Sequence, residues 1–469
     1  MEAARKGILT RQRAFLREAL AGTNQDFTEG SLTRGIALLA IPTVLEMSME
    51  STFGVVDAFW VAKLGADAIA VVGLTEALVI LVFAIGMGLS MAATATVARR
   101  TGEKDPDGAS HAAGQAIGCG ALVGLATGIG GILFARQLLG LMQAPAGVIR
   151  TGVTYSTVVL GGNISIVLLF LINGVFRGSG DAATAMRTLW LANLINLALD
   201  PCFIYGLAFF PRLGVTGAAV ATTIGRTIGV VYQLVILFRG RGRVSLQPAH
   251  LRPDWPVLAR LLRVSGPAMF QYFIATASWA GLTRINAVFG SAAIAGYTLA
   301  MRIVMFALMP SWGICSATAT LVGQSLGAKK PDRAERSVWL SGSYNMAFLA
   351  CVGVVFASGA QWLVMPFTND PAVLPVAATC LRFISFGYPI YAWGMIMEQA
   401  FNGAGDTSTP TWINFFCFWL IEIPLAWVLS QKTPLGPRGV YLSICGAETV
   451  LAAVAVTWFR RGRWKAAVV

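Results

Sequence analysis

Long apolar runs recur along the whole chain, separated by short polar stretches that hold most of the charges. Runs such as "AIGCGALVGLATGIGGILFA", "VVLGGNISIVLLFLINGVF" and "AAVATTIGRTIGVVYQLVILF" are each long enough to cross ~30 Å of hydrocarbon as a helix. We count twelve such segments. Their length and glycine content, without an alternating ten-residue pattern, favour helices over transmembrane strands. The pattern predicts an all-α integral membrane protein with twelve transmembrane helices.

The chain repeats itself at an offset of 225 residues. The features that recur at this offset are Pro42 and Pro267, Gly65 and Gly290, Gly102 and Gly327, and the hexapeptides "FRGSGD" and "FNGAGD". An ordered series of matches at one spacing indicates a duplication. Each half holds six spans, an even number, so both halves enter the membrane in the same orientation. We therefore expect two six-helix bundles related by a pseudo-twofold axis along the membrane normal, with a cleft between them.

Polar stretches divide the chain into an N-terminal segment at 1–30, an N-lobe at 31–240, a linker at 241–256, a C-lobe at 257–460 and a basic tail at 461–469. The first thirty residues lack the apolar core and cleavage site of a secretory signal. An organellar presequence is the weaker alternative, because Glu2 and Glu18 interrupt the basic pattern. We expect a cytoplasmic amphipathic helix that lies on the membrane surface.

Composition agrees with a membrane protein, and the charges orient it. Hydrophobic residues make up 56% of the chain and charged residues 12%, with a mean hydropathy of +0.68. The net charge of +13 comes from basic residues concentrated in alternate loops: Arg99, Arg100 and Lys104; Arg177; Arg239, Arg241, Arg243 and Arg252; Lys329, Lys330, Arg333 and Arg336; and Arg460, Arg461, Arg463 and Lys465. By the positive-inside rule these loops and both termini are cytoplasmic. The basic residues therefore indicate how the protein is oriented in the membrane. They do not indicate a nucleic-acid partner.

Cysteine and histidine usage argues against metal and nucleophile chemistry. The seven cysteines stand singly in or beside apolar segments, and the two histidines, His111 and His250, are far apart in sequence. No CxxC pair, HExxH motif or Ser/His arrangement occurs. We expect no metal site, no cofactor and no enzymatic activity.

Three carboxylates interrupt the first span, where an ionised group costs at least a few kcal/mol. Glu46, Glu50 and Asp57 lie within about 40° of one another around a helix, so they form one narrow acidic stripe that faces a cleft or polar partners. The spans of this half carry few basic residues, and we expect Asp57 to be functional. For Glu46 and Glu50, cleft-facing and structural ion-pair roles are equally compatible with the pattern. Pro42, one turn earlier, predicts a hinge.

A second polar stripe lies in the fifth span. Asn193, Asn196 and Asp200 share a face within about 60°, and Pro201 leaves nearby backbone carbonyls free to accept hydrogen bonds. A polar stripe at membrane depth needs a polar partner, and the first-span acids are the candidates.

Several segments, in this order and over nearly the whole chain, resemble the multidrug and toxic compound extrusion (MATE) family. They are "VVDAFWVAKLG", "ARRTGEKDPDGA", "NLINLALDP", "GVTGAAVAT" and "GQSLGAKKPDRAERSVW". The resemblance implies a hydrogen-bonded cation or proton site inside the N-lobe, formed here by Asp57, Asn196, Asp200 and Thr222. We expect protons as the coupling ion, although Na⁺ at Asp57 and Asp200 remains the alternative.

The second half has no copy of the acidic stripe, since Asp57, Glu50 and Glu46 correspond to Leu282, Ala275 and Gln271. The positions that carry sodium-binding acids in some family members correspond to Ala275 and Tyr391, so we expect no sodium site in the C-lobe. The residues of this half that we expect to line a substrate cleft are Gln271, Arg284, Tyr297, Met301, Arg302, Tyr388, Tyr391 and Glu398. Packing is the alternative for the aromatic residues and Met301, and mutual neutralisation for Arg302 and Glu398.

The resemblance and the acids together predict a monomeric antiporter of the bacterial inner membrane, which exports amphipathic, often cationic, organic compounds by alternating access. A flippase or exporter of a lipid-linked or polyanionic substrate is the alternative within transport. An intramembrane enzyme is a more distant one, because paired catalytic groups are missing from the spans.

Overall fold

The computed structural model describes residues 2–23, 25–207, 209–240 and 242–467, and within these ranges the chain is helical and contains no strand. Arg241, one of the basic residues used to orient the chain, lies outside the described residues. So do the first residue of the predicted N-terminal segment and the last two residues of the predicted tail.

The first part of the chain forms the helices α1 (Glu2–Ala21), α2 (Leu32–Ala62), α3 (Ala66–Gly102), α4 (Pro106–Leu141), α5 (Ala146–Gly161), α6 (Asn163–Ser179), α7 (Ala182–Tyr205) and α8 (Val215–Phe238). The linker contains a 3-10 turn, Pro248–Leu251.

The second part forms α9 (Trp255–Ala287), α10 (Ser291–Gly327), α11 (Pro331–Val364), α12 (Leu374–Ala404), α13 (Ser408–Asn414), a π-helical segment (Phe415–Glu422), α14 (Ile423–Gln431), α15 (Pro437–Arg460) and a 3-10 turn (Arg463–Ala466). The π-helical segment joins α13 and α14 into one continuous span.

Ten spans in the described chain are long and apolar enough to cross a membrane, counting α5 with α6 and α13 with α14. Helices α9 and α12, with 33 and 31 residues, complete the set of twelve. The predicted all-α fold with twelve spans is confirmed. Helices α2 to α8 form the N-lobe, and α9 to α15 form the C-lobe.

The repeated hexapeptides build the same turn in both lobes. Gly180 and Gly405 end their helices with φ of +89° and +90°, a left-handed conformation that glycine adopts without steric cost. Asp181 then caps α7 by accepting from the Thr184 backbone N–H at 3.1 Å. In the C-lobe, Asp406 accepts from the Thr409 N–H at 3.2 Å. Both lobes therefore keep the same turn, in which a glycine ends one helix and an aspartate caps the next.

The lobes meet through equivalent pairs of helices, α2 with α10 and α9 with α3. Gly313 on α10 lies directly against Val44 on α2, and Gly88 on α3 lies against Met269 on α9. Gly313 follows Gly88 by 225 residues, and Met269 follows Val44 by 225 residues, so the two contacts repeat the internal symmetry. The interface therefore has the predicted pseudo-twofold arrangement.

The lobes approach each other closely at the end of the bundle where α2 begins and α15 ends, which we call the terminal face. A side-chain carbon on Gly102 would overlap the Gln324 carbonyl oxygen, and one on Gly327 would overlap the Arg99 carbonyl oxygen. At the opposite end α2 is uncovered, with Val55 46% exposed. The lobes are thus in close contact at the terminal face, whereas α2 near Val55, toward the other end, is exposed.

Candidate functional site

Asp57 on α2 and Asp200 on α7 meet inside the N-lobe, where their carboxyl groups face one another within hydrogen-bonding reach. Asp200 is fully buried, and neither of its carboxyl oxygens has a hydrogen-bond donor among the described residues. The same holds for Oδ1 of Asp57. Two ionised carboxylates have only acceptors to offer each other. A proton on one of them supplies the missing donor.

The amide and hydroxyl implied by the family resemblance lie together beside this pair. Nδ2 of Asn196 donates to Oγ1 of Thr222 at 2.8 Å. Asn196 is 2% exposed and lies one helical turn before Asp200, and its Oδ1 has no donor within the described protein. The structure therefore brings together all four residues, Asp57, Asn196, Asp200 and Thr222.

A half-buried arginine that the sequence analysis overlooked lies near these acids. Arg226 follows Thr222 by one turn on α8 and is within electrostatic reach of Asp57, Glu50 and Tyr155. The sequence analysis expected few basic residues in these spans, and Arg226 is one that it did not name. The sequence could have identified it, because Arg226 is a lone charged residue inside the apolar run "ATTIGRTIG" and a charge in a membrane span is costly.

Glu46 has a structural ion pair and does not face the cleft. It is fully buried, and its Oε1 accepts from Nη1 of Arg177 at 2.9 Å and from Nδ2 of Asn173 at 3.0 Å. Glu50 is partly exposed and accepts from Nδ2 of Asn193 at 3.0 Å. Helical spacing placed the three acids on one stripe, but α6 and α7 approach that stripe at different heights. The stripe is thus divided among three sets of partners.

A cavity of about 270 Å³ lies between the lobes, and the C-lobe supplies most of its wall. Of the predicted cleft residues, Gln271, Tyr391 and Glu398 line it. Met301 and Tyr388 line a smaller pocket of about 40 Å³, which Tyr391 also borders.

The other predicted cleft residues lie elsewhere. Tyr297 is 2% exposed and stacks on Tyr441 at 6.4 Å between ring centroids, as a core residue does. Arg284 and Arg302 are exposed and line neither cavity.

Arg302 does not neutralise Glu398. The neighbours of the Glu398 carboxyl are the side-chain amides of Gln271 and Asn414, whereas Arg302 lies within electrostatic reach of Glu76 on α3. The two charged groups therefore have different partners, and the alternative of mutual neutralisation is wrong.

The C-lobe holds two further acids that the sequence analysis did not name besides Glu398. Glu448 on α15 lies within electrostatic reach of both Glu398 on α12 and Glu422 at the end of the π-helical segment. Oε2 of Glu422 accepts from Oγ of Ser278 at 2.6 Å. Glu422 and Glu448 are single acids in apolar spans, so the sequence alone could have identified them as candidate functional residues. The offset comparison missed them because it followed only copies of the N-lobe acids.

Two duplicated helical lobes around a central cavity, with carboxylates held inside both lobes, define a secondary membrane transporter. The family model described as MatE matches residues 42–202 and 267–428, one match in each lobe. The chain therefore belongs to the MATE family, whose members are transporters and not enzymes. The two matches begin at the same offset of 225 that relates the lobes.

Individual proteins of the family match over most of their length. The probable multidrug resistance protein NorM of Thermotoga maritima is 25% identical over 433 residues, which cover 91% of this chain and 92% of that protein. A crystal structure of a MATE protein in complex with MaL6 has a TM-score of 0.89 and 26% identity, covering 94% of this chain and 98% of that one. A structure described as the outward-facing conformation of a multidrug resistance MATE family transporter has a TM-score of 0.88 and 26% identity, covering 94% and 97%.

Proposed function

We propose that this protein is an antiporter that couples the downhill entry of protons to the export of amphipathic, often cationic, organic compounds. The observation that carries the proposal is the facing pair Asp57 and Asp200, whose buried oxygens lack donors within the described protein. When both carboxylates are ionised they repel one another and require water or a cation. When one is protonated it donates to the other, and α2 and α7 can close together.

Arg226 supports protons over sodium as the coupling ion. Its fixed positive charge lies within electrostatic reach of Asp57. A metal cation bound between the acids would keep its charge and be repelled by the guanidinium, with a strength that grows in the low-dielectric interior. A proton is absorbed into a neutral carboxyl group and leaves no separate charge. Sodium remains the alternative, since carboxylate, amide and hydroxyl oxygens also suit a hard cation.

The arrangement of the lobes supports alternating access. With the terminal face cytoplasmic, as the basic loops predict, the cleft opens toward the outside of the cell. A second state in which the terminal face opens would present the same cavity to the cytoplasm. We place the protein in the bacterial inner membrane, as a monomer with both termini in the cytoplasm.

The cavity wall favours organic compounds over a lipid-linked or polyanionic substrate. Glu398 and Glu448 line it, and the basic lining residue Arg177 is already paired with Glu46 at 2.9 Å. A pyrophosphate group would meet carboxylates and no free base among the described lining residues. The similarity to proteins named as multidrug resistance proteins supports the same choice.

An export assay in sodium-free proteoliposomes tests the coupling. An imposed pH gradient should drive ethidium against its concentration gradient with the wild-type protein. Asp57→Asn and Asp200→Asn should each reduce this transport at least about tenfold, because an amide cannot bind and release the proton. Asp67→Asn is the matched control, since Asp67 is exposed at the start of α3 and should retain full transport.

Equal amounts of each variant, monodisperse by size-exclusion chromatography, separate lost coupling from lost folding. The proposal fails if the wild type transports only when a sodium gradient is supplied, or if Asp57→Asn retains wild-type transport under the pH gradient.

A further inference from the structure

The C-lobe wall of the cavity collects acceptor groups from several helices. Glu398 on α12 and Glu448 on α15 line the cavity, and Glu422 lies behind them, bonded to Ser278 at 2.6 Å. The groups within electrostatic or hydrogen-bonding reach of these three carboxyls include the side chains of Gln271, Asn414 and Ser278 and several tyrosine and cysteine side chains, such as Tyr272 and Tyr391. In the described protein, no arginine or lysine is among them. The wall therefore attracts positive charge.

Buried amides around the acids lack partners and line the same cavity. Gln271, Asn402 and Asn414 are 6%, 1% and 3% exposed. Their carbonyl oxygens, and Oε2 of Glu448, have no hydrogen-bond donor among the described residues. Buried polar atoms in proteins are nearly always paired. These oxygens are buried in the wall of the cavity that their residues line, so a ligand that reaches them when a side chain rotates must bring its own donors.

The remaining wall is apolar and polarisable. Met87 and Met305 face the cavity from the two lobes, and Trp279, Tyr391 and Phe418 contribute aromatic rings. Thioethers adapt to ligand shape, and aromatic faces attract cations. The cavity thus has apolar and aromatic walls for the hydrocarbon part of a ligand and acceptor groups for its charged part.

We propose that the C-lobe acceptors form a subsite for organic cations that carry N–H donors, namely protonated amines, amidinium and guanidinium groups, in preference to quaternary ammonium ions of similar framework. This inference rests on the proposed export function and refines its substrate class. A cation in the cavity favours the ionised form of these carboxyls, and the resulting carboxylates attract either kind of cation by charge. The amide oxygens discriminate, because only an N–H group can hydrogen-bond to them. A quaternary cation leaves them buried and unpaired.

Binding of a matched pair of ligands tests the preference in the full-length protein. The probes are 4-(aminomethyl)biphenyl, protonated at pH 7, and its N,N,N-trimethyl derivative, titrated by calorimetry in lipid nanodiscs. The wild type should bind the primary ammonium at least about fivefold more tightly, the effect of one or two charge-assisted hydrogen bonds. Equal affinities, or tighter binding of the trimethyl compound, would overturn the proposal without any variant.

Two kinds of variant separate charge from hydrogen bonding. Glu448→Gln should weaken both ligands, because it removes the shared charge attraction. Gln271→Met keeps the side-chain size but removes the acceptor, and should weaken only the primary ammonium, which lowers the affinity ratio. Gln361→Met is the matched control, since Gln361 is exposed on α11 and the ratio should stay at the wild-type value. Equal weakening of both ligands in Gln271→Met would contradict the assigned role of the amide.

The binding experiment and the export experiment can each refute one proposal without refuting the other. Export driven by a pH gradient together with equal affinity for the two probes refutes the subsite and leaves the antiporter intact. Discrimination between the probes without any pH-driven export refutes proton coupling and leaves the subsite in place.

Discussion

Glu46 and Arg177 illustrate, at the scale of single residues, how an ionised pair is held inside an apolar bundle. Their contact at 2.9 Å is almost completely buried. Asn173 donates to Glu46 at 3.0 Å and accepts from Nε2 of Gln233 at 2.6 Å, which extends the network to α8. Such a pair gives little net stability over an apolar replacement, but removing one partner leaves an uncompensated buried charge.

We therefore expect Glu46→Gln to lower the free energy of unfolding by about 3–5 kcal/mol, because Arg177 is left without its counter-charge. Thermal unfolding of the purified protein in one detergent provides the measurement. Glu50→Gln is the comparison, with an expected loss of about 1 kcal/mol, since Glu50 is partly exposed and accepts one hydrogen bond from Asn193.

The double variant Glu46→Gln with Arg177→Met should recover much of the lost stability, because neither charge then remains buried. Wild-type stability in Glu46→Gln alone would show that the network does not hold α2 against α6.

At the scale of elements, α2 combines a proline with cross-lobe contacts. The helix continues through Pro42, whose ring cannot donate to the carbonyl of Leu38. Next to it, Oγ1 of Thr43 donates to the Leu39 carbonyl and to the Gly313 carbonyl of α10, both at 2.8 Å. The weak point of the backbone hydrogen-bond ladder therefore lies where α2 is anchored to the other lobe. Motion beyond Pro42 would carry Asp57 relative to α7.

We expect protonation to bend α2 at this point, since a protonated Asp57 or Asp200 lets the two helices approach. Spin labels at Val55 and Leu194, both exposed, in a variant without native cysteines should report a shorter distance at pH 5 than at pH 8. The change should shrink in Asp57→Asn, which removes the titration, and in Pro42→Ala, which restores the backbone donor. Identical distances at both pH values would exclude the hinge.

At the scale of the whole molecule, residues 25–30 bridge the lobes on the terminal face. Arg243, which follows α8, donates to the Gln25 carbonyl at 2.5 Å. From the C-lobe, Arg333 donates to the Phe27 carbonyl at 3.0 Å, and Lys330 donates to that of Thr28 at 3.1 Å. The N-terminal segment was predicted to lie on the membrane surface, but this part of it lies between the lobes. It must release one lobe before the terminal face can open.

Arg333→Ala should therefore shift the population toward a state with an open terminal face, because it removes hydrogen bonds that only the closed face makes. Spin labels at Glu103 and Lys329, exposed on opposite lobes, should show a longer mean distance than in the wild type. Arg336→Ala is the matched control, since Arg336 is exposed on α11 and should leave the distance distribution unchanged. A wild-type distribution in Arg333→Ala would mean that this segment does not restrain the lobes.

The amino-acid sequence by itself determined the membrane class, the twelve helices and the two lobes. These follow from local quantities, the length of apolar runs and the 225-residue repeat, which need no knowledge of packing. It also identified Asp57 and Asp200, because an acid in an apolar span is costly wherever that span lies. The pairing of Asn196 with Thr222 required the family resemblance as well.

Only the tertiary structure decided which partners the buried charges have. Glu46 and Asp57 share one helical stripe, yet Glu46 meets Arg177 while Asp57 meets Asp200 and lies near Arg226. Glu398 and Glu448 converge on one cavity although 50 residues and several helices separate them. Helical periodicity gives the direction in which a side chain points around the axis of its helix. The rotation and height of the neighbouring helices decide which partner and which charge it meets, and these arise from packing between spans and lobes.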